Sequence, residues 1–203
     1  KQPKNTTDFQ LPENDKIQLL KIARNTIVGY LSTGTIPKVE EKSLSGNLKS
    51  KAGAFVTLRK NKDLRGCIGN FASQQPLYQT VQQMAVAAAT EDTRFSPVET
   101  DEMKNIEIEI SVLTPLHRIS SIAEFKLGRD GIYIKKGNRS GTFLPQVAEG
   151  TGWNVEEFMG HCARDKAFIG WDGWKDKDAE LYTYQALVFE EAEFPSLQNK
   201  KQK

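Results

Sequence analysis

The stretch that decides the fold is Asn105-Ile106-Glu107-Ile108-Glu109-Ile110-Ser111-Val112-Leu113-Thr114. Apolar side chains point one way at Ile106, Ile108, Ile110 and Val112, and Glu107, Glu109 and Ser111 point the other way. A period of two residues is typical of a β-strand with one buried face and one wetter face. The stretch therefore predicts a half-buried sheet.

Three helices are predicted around this strand. Asn14 or Asp15 is expected to cap the first, and Gly34 fits its C-terminal end. Pro76 opens the second, whose apolar stripe consists of Leu77, Val81, Met84, Ala85 and Ala88. Asn154, followed three residues later by a glutamate, has the capping pattern of a third helix. The stripe on the second helix predicts that it lies against the sheet.

The remaining strands are expected mostly in antiparallel pairs. Residues 54–58 and 64–68 flank turn-forming residues, 131–136 and 142–144 form a predicted hairpin, and 181–190 is the last predicted strand. Residues 36–51 show no period and are predicted to be a long loop. This order favours the α+β class, with an antiparallel sheet flanked by helices, over a doubly wound sheet.

Composition narrows the class of protein. The 203 residues are 38% apolar and 27% charged, which is ordinary for a folded domain. A formal charge of +2 is too small to indicate a nucleic-acid partner. No apolar run is long enough to cross a bilayer, so no membrane association is expected, and no signal-peptide pattern is present. The chain begins at Lys1, which leaves open the earlier removal of a leader.

The cysteine and histidine content excludes several kinds of site. Two cysteines, Cys67 and Cys162, are too few for a disulfide scaffold and favour reduced thiols in a cytoplasmic protein, although a single bridge between them stays open. Together with His117 and His161 they match no zinc-ligand spacing, so no metal site is predicted. No phosphate loop, dinucleotide fingerprint, Ser-His-Asp order or kinase signature occurs, and the sequence leaves the identity of any cofactor unknown.

The most unusual segment is Leu64-Arg65-Gly66-Cys67-Ile68-Gly69-Asn70. A cysteine between two glycines and near a guanidinium is a candidate nucleophile, because the cation would stabilise the thiolate and lower the pKa of the thiol. The alternative is a small core cysteine in a strand that the glycines shape into a bulge. Arg94 is the next candidate: it is suited to bind a carboxylate or phosphate, or else to pair with Asp92 or cap the helix that it follows.

Two further features carry open alternatives. Trp171 and Trp174 are suited to stack on a flat ligand or a partner, or to cover the end of the core. His161 is predicted at the flank of the third helix or in solvent, about 120° from its apolar face.

The segment Leu64 to Gly69 resembles the hallmark of the AMMECR domain family. Other stretches that resemble the family, in the same order, are 92–97, 111–115, 131–132, 143–148, 152–153 and 166–167. The likeness runs from about Ile17 to Phe189. Within the family, the sequence resembles protein A of the AmmeMemoRadiSam system. Several spaced motifs in one order are more specific than any one of them.

The resemblance implies a fold and a set of partners. It implies one domain over residues 14–195 with a larger α+β lobe and a smaller second lobe, and residues 1–13 and 196–203 are predicted as flexible tails. It directs attention to Arg65, Gly66, Cys67 and Gly69, with Arg94 as a second candidate. It also implies a Memo-like protein of the dioxygenase fold and a radical S-adenosylmethionine enzyme as partners.

Two functional hypotheses follow. In the first, the protein is an enzyme or enzyme component in which Cys67 is the nucleophile and Arg65 stabilises the thiolate or an anion, while Gly66, Gly69 and Arg94 bind the ligand. In the second, it is a non-catalytic binding or adaptor module for the Memo-like and radical partners.

Overall fold

The computed structural model describes residues 10–71 and 73–198. The predicted tails therefore fall largely outside the described residues, except that Pro195–Gln198 form a short helix where the second tail was expected to begin. The described chain divides into two compact units, one made of residues 10–113 and 187–198 and the other of residues 114–186. No helix in these described ranges is long and apolar enough to span a bilayer.

The first unit is built on a four-stranded sheet. Its strands are β1 (Gly53–Lys60), β2 (Asp63–Asn70), β3 (Ile106–Leu113) and β8 (Ala186–Glu190), in the order β2-β1-β3-β8. β1 pairs antiparallel with both β2 and β3. Its helices are α1 (Glu13–Thr33), α2 (Gly46–Lys49), α3 (Leu77–Thr90) and α5 (Pro195–Gln198).

One face of this sheet forms the core with the helices. Val56, Ile108 and Ile110 are fully buried in one cluster with residues of α1 and α3, such as Leu20 and Val81. Each buried aliphatic side chain of this kind contributes about 1.5–3 kcal/mol relative to an exposed one. The predicted half-buried strand is confirmed, and so is the packing of the second helix on the sheet.

Of the two predicted ends of α1, the C-terminal one is confirmed and the N-terminal cap is not. Gly34 adopts a left-handed conformation, with φ of 72°, and donates its backbone N–H to the carbonyl of Tyr30, as the sequence predicts. The prediction that Asn14 or Asp15 caps the helix is wrong, because Pro12 occupies the N-cap position without a side-chain hydrogen bond. Asp15 is instead buried and accepts hydrogen bonds from Ser45 Oγ and Asn47 Nδ2, at 2.9 Å each.

The loop predicted over residues 36–51 is partly helical. It contains a 3-10 turn at Glu41–Ser43 and the short helix α2, which begins at a Ser45 cap. Both elements are a single turn long, and a helix of that length leaves no apolar period to recognise.

The second unit contains another antiparallel sheet. Its strands are β4 (His117–Ile119), β5 (Gly131–Lys136), β6 (Arg139–Phe143) and β7 (Ala179–Tyr184), in the order β4-β7-β5-β6. Helix α4 (Val155–Asp165) begins with the predicted capping box, in which Asn154 and Glu157 each accept the other's backbone N–H. Phe158, Met159 and Cys162 of α4 lie in the core of this unit. The α+β class with antiparallel sheets is confirmed.

The predicted last strand over residues 181–190 is wrong as a single element. The chain forms two strands, β7 in the second sheet and β8 in the first, with Gln185 between them. The Gln185 backbone bonds at both its N–H and its C=O to Thr114, through the Thr114 hydroxyl and backbone N–H. Alternation continues through this junction, so the period could not reveal the change of sheet.

Candidate functional site

The first sheet has one face packed on α1 and α3 and one face turned away from them. Three polar side chains form one row across the face that is turned away. Cys67 on β2 lies across from Thr57 on β1, and Thr57 lies across from Glu109 on β3. Directly opposed side chains of neighbouring strands point to the same face and lie within contact range. The Thr57 hydroxyl donates to the Cys67 sulfur, with an oxygen–sulfur distance of 3.3 Å.

The Cys67 thiol is half-buried, and its pKa is raised above the ordinary value. Burial is the largest cause, because a thiolate loses solvation there, and the negative charges of Glu109 and Asp92 act in the same direction. The Thr57 hydrogen bond and the Arg94 charge oppose the rise without cancelling it. The expectation of a lowered pKa is therefore wrong, and Cys67 is a neutral thiol at neutral pH.

Asp92 connects the two segments that the sequence singled out. Its buried carboxylate accepts the backbone N–H of Cys67 at 2.9 Å, and the backbone N–H of Arg94 at 3.2 Å. It also accepts Nε and Nη2 of Arg94 at 2.9 and 2.7 Å. The Arg94 hydrogen bond is the largest cause that lowers the Asp92 pKa to about 2. Asp92 is therefore a carboxylate under all ordinary conditions.

Arg94 is half-exposed while it holds Asp92. Its side chain is 53% exposed, and Nη2 also lies 3.4 Å from the carbonyl oxygen of Cys67. Of the sequence alternatives for Arg94, pairing with Asp92 is the one that the structure contains. The exposed part of the guanidinium lies beside Cys67, so the predicted role in binding an anion stays a prediction that this position favours.

Arg65 lies at an irregularity of β2. Leu58 pairs with Gly66 and Arg59 with Leu64, so Arg65 is an extra residue in the strand. Such a bulge redirects the side chain, which here reaches the segment that precedes β3.

The guanidinium of Arg65 is bound on several sides. It donates to both carboxylate oxygens of Glu102, at 2.9 and 3.3 Å, and to the carbonyl of Ser96 at 2.8 Å. Lys60 donates to the same carboxylate at 2.7 Å, and these cations lower the Glu102 pKa to about 2, with Arg65 the largest cause. The cation that acts on Cys67 is Arg94. The contacts of Arg65 thus favour a structural role, in which it holds β2 to the segment that precedes β3, over stabilisation of the thiolate.

The two glycines beside Cys67 each have a packing reason. A Cβ at Gly66 would lie 2.1 Å from the carbonyl oxygen of Ala88, because β2 approaches the α3 backbone closely. A Cβ at Gly69 would lie 2.2 Å from the ring of Phe55. Their predicted role in ligand binding stays a prediction, and the protein's own atoms fill the space that each glycine leaves.

Sequence reasoning missed Thr57 and Glu109 and treated Asp92 only as a partner for Arg94. Asp92 stands in the same short motif as Arg94, which was an available signal. Thr57 and Glu109 stand on the polar faces of predicted strands, but strand register across 10 and 52 residues is not legible in a single sequence.

The other predicted residues lie in the second unit or in the core. Cys162 is fully buried, burial raises its pKa to about 12, and both cysteines are free thiols. His161 stacks on Trp153 with ring centroids 3.8 Å apart, at the flank of its helix as expected. Trp174 covers the core, whereas Trp171 is partly exposed. Among residues 10–71 and 73–198, no group of three or more His, Cys, Asp and Glu side chains is placed to hold a metal ion.

Comparison with known proteins gives one consistent result. The family model described as AMMECR1 matches residues 20–189. The chain is 42% identical over 184 residues to protein MK0488 of Methanopyrus kandleri, which covers 86% of this chain and 87% of that protein. It is 40% identical to protein PF1979 of Pyrococcus furiosus, over 87% of this chain and 88% of that one. The crystal structure of uncharacterised protein PH0010 from Pyrococcus horikoshii is similar, with a TM-score of 0.84 and 37% identity over 90% of this chain and 94% of that chain.

Proposed function

The chain belongs to the AMMECR1 family, and we propose that it is a cysteine-using enzyme or enzyme component in which Cys67 reacts with a small electrophilic molecule. The observation that carries this proposal is the row of Cys67, Thr57 and Glu109 on one face of the first sheet. A thiol, a hydroxyl and a carboxylate that lie side by side across three strands provide a nucleophile together with groups that can receive its proton.

Because burial raises the pKa of the Cys67 thiol, the proposed reaction needs a group that removes the thiol proton. A neutral thiol is a weak nucleophile, so its proton has to leave as the sulfur–carbon bond forms. For addition to an activated double bond, the sulfur bonds to one carbon and the proton ends on the other end of that bond. In this scheme the Thr57 hydroxyl accepts the thiol proton and passes its own proton to Glu109, which returns a proton to the carbon that the sulfur does not bind. Arg94, whose guanidinium is half-exposed beside Cys67, binds an anionic group of the molecule.

The proposed setting is a pathway shared with two other proteins. A Memo-like protein of the dioxygenase fold and a radical S-adenosylmethionine enzyme would supply or receive the molecule that Cys67 holds. The family resemblance supports this proposal. Transfer from Cys67 to a partner requires contact between the proteins, so mixtures of the purified components should form a complex by light scattering at tens of micromolar.

Covalent trapping tests the role of Cys67. The native protein is incubated with a metabolite extract from the source cells and, separately, with acrylamide as a defined electrophile, and its peptides are then mapped by mass spectrometry. We expect adducts from both on Cys67 and none on Cys162, which is fully buried. Cys67→Ser should lose them, and Cys162→Ser, the matched control, should keep them. If the extract leaves no adduct on native Cys67, the proposal fails.

A second candidate, the adaptor module, is favoured by one observation. Phe168 is 69% exposed and holds a left-handed backbone conformation, with φ of 55°, which is unusual for an aromatic residue. An exposed aromatic side chain held in this way is suited to bind a partner protein. Phe168→Ser should weaken a complex with the Memo-like or radical protein at least tenfold, while Phe194→Ser, a buried control, should act through folding. Unchanged affinity in a folded Phe168→Ser protein would count against the adaptor.

A further inference from the structure

An aromatic ring lies beside Cys67 on the face of the first sheet that is turned away from α1 and α3. Phe55 is on β1, two residues before Thr57, so its side chain points to the same face as the row of Cys67, Thr57 and Glu109. Phe55 is partly exposed, and among the residues that the structure describes it belongs to neither of the two hydrophobic core clusters. Packing of those cores therefore does not explain an aromatic residue at this position.

The Phe55 ring lies flat on the strand that carries Cys67. Phe55 pairs with Gly69 of β2, and a Cβ added at Gly69 would lie 2.2, 2.3 and 2.4 Å from the Cγ, Cδ1 and Cδ2 atoms of the ring. Nearly equal distances to these three atoms place the Cβ position over a face of the ring and not at its edge. Because a Cβ points away from the sheet, the ring lies close to parallel with the sheet, over the Gly69 backbone.

The ring and the thiol are neighbours on this face. Cys67 and Gly69 are two residues apart on β2, which separates their Cα atoms by about 6.6 Å and directs both positions to the same side. The Cys67 sulfur is two bonds from its own Cα, and the ring lies directly on the Gly69 backbone. Both groups thus form a layer above the strand, and a flat molecule on the Phe55 ring can reach across to the sulfur.

Phe71 fixes the position of the Phe55 ring. The centroids of the two rings are 5.1 Å apart, and the ring planes are inclined by 73°, which is a favourable T-shaped arrangement. A ring that is held by a backbone on one face and by a second aromatic ring loses little freedom when a ligand binds. Such preorganisation lowers the cost of binding.

We propose that the electrophile of the proposed function has a flat, conjugated body that lies on the Phe55 ring, and that Phe55 thereby determines which electrophiles react with Cys67. This inference rests on the proposed reaction of Cys67. An activated double bond is planar together with the group that conjugates with it, so such a molecule matches a flat ring. Arg94 lies at the outer edge of β2, beside the Cys67 carbonyl, so the anionic group and the flat body occupy different sides of the thiol.

The test compares maleimides that differ only in the group on nitrogen. Phenyl is flat, cyclohexyl has a similar size but is not flat, and methyl is small. With each reagent the Cys67 sulfur bonds to one carbon of the double bond, and the thiol hydrogen ends on the other carbon. Rates are measured on the native full chain, peptide by peptide, by mass spectrometry. Each rate is divided by the rate with glutathione, which removes the reagent's own reactivity. The buried Cys162 is the internal control.

We expect the corrected rate at Cys67 to be about fivefold higher for the phenyl reagent than for the cyclohexyl reagent, as for one favourable contact between rings. Phe55→Leu keeps an apolar side chain without a flat ring, so it should remove this preference and change the methyl rate by no more than about twofold. Phe55→Tyr keeps the ring and should keep the preference. Phe168→Leu, at an exposed ring in the second unit, is the matched control and should also keep it.

The outcomes separate this inference from the proposed function. Equal corrected rates for the phenyl and cyclohexyl reagents overturn the inference, and so does a preference that persists in Phe55→Leu. If the methyl reagent still labels native Cys67 in those cases, the proposed reaction stands. If no maleimide labels Cys67 until the protein is unfolded, both are overturned. Phe55→Ile, with a side chain that favours strands, takes the place of Phe55→Leu if that variant fails to fold.

Discussion

The carboxylate of Asp92 accepts the backbone N–H of Cys67, with a distance of 2.9 Å between the oxygen and the nitrogen. Cys67 lies on β2, an edge strand of the first sheet. Edge strands expose backbone groups that can pair with another chain. Here Asp92 binds the outward N–H of Cys67, and Arg94 approaches its carbonyl. The segment that contains Asp92 and Arg94 therefore binds the backbone groups that β2 leaves unpaired at Cys67.

Replacement of Asp92 by Asn should destabilise the protein by about 2 kcal/mol at pH 7, as expected from a buried carboxylate whose pKa is lowered from 3.8 to about 2. A lowered pKa stabilises the folded state above the unfolded value, near pH 4, and this contribution disappears as the pH falls toward 2. The difference between wild type and Asp92→Asn should therefore shrink over that window. Urea denaturation from pH 7 to pH 2 measures it.

The control for this prediction is Asp63→Asn, at an exposed carboxylate that begins β2. It should change the free energy of unfolding by no more than about 0.5 kcal/mol. Equal losses in the two variants would contradict the role given to Asp92.

The pKa of Cys67 should respond to its neighbours in opposite directions. Thr57→Val and Arg94→Gln remove influences that lower the Cys67 pKa, so both should raise it, whereas Glu109→Gln removes a negative charge and should lower it. The rate of iodoacetamide labelling at Cys67, followed peptide by peptide from pH 7 to pH 10.5, reports the thiolate fraction. Cys162, whose pKa is raised to about 12, is the internal control and should not label in the folded protein. A Cys67 pKa below the free-thiol value of about 8.5 would refute this account of the site.

Arg65→Gln should cost about 2 kcal/mol of folding stability, because it leaves the Glu102 carboxylate with Lys60 as its remaining cation. If the role of Arg65 is structural, the Cys67 pKa in Arg65→Gln will equal the wild-type value. Arg59→Gln is the matched control, since its contact with Glu109 is long, at 3.9 Å, and should cost no more than about 0.5 kcal/mol. A marked rise of the Cys67 pKa in Arg65→Gln would restore the role of thiolate stabiliser.

Gly66→Ala should destabilise by at least about 3 kcal/mol or prevent folding, because the new Cβ would meet a backbone carbonyl of α3 at 2.1 Å and neither backbone can yield locally. Gly46→Ala is the control: nothing lies within 4 Å of a Cβ there, and alanine favours the short helix α2. Thermal unfolding compares the two variants. A Gly66→Ala protein as stable as wild type would mean that β2 and α3 are not in close contact.

The elements with strong local signals were predicted well. The alternation in β3, the stripe on α3, the Gly34 end of α1 and the capping box of α4 all appear in the structure. Each of these signals depends on residues within a few positions of one another. The Asn14 or Asp15 cap failed because Asp15 bonds instead to residues 30 and 32 positions away, Ser45 and Asn47.

The candidate site was predicted in its residues and not in its chemistry. Cys67, Arg65 and Arg94 were identified from the sequence, yet the guanidinium nearest in the chain is bound to Glu102, 37 residues away. A pKa is set by burial and by charges that approach through space, and neither is recorded in the order of residues.

By itself, then, the sequence determined the α+β class, the family and the segment in which Cys67 lies, because periodicity, caps and spaced motifs are properties of the chain. Tertiary structure alone decided that Asp92 closes the edge at Cys67, that Thr57 and Glu109 share its row, and that residues 181–190 divide between two sheets. Those outcomes depend on strand register and on contacts between distant segments, which form only when the core brings the strands together.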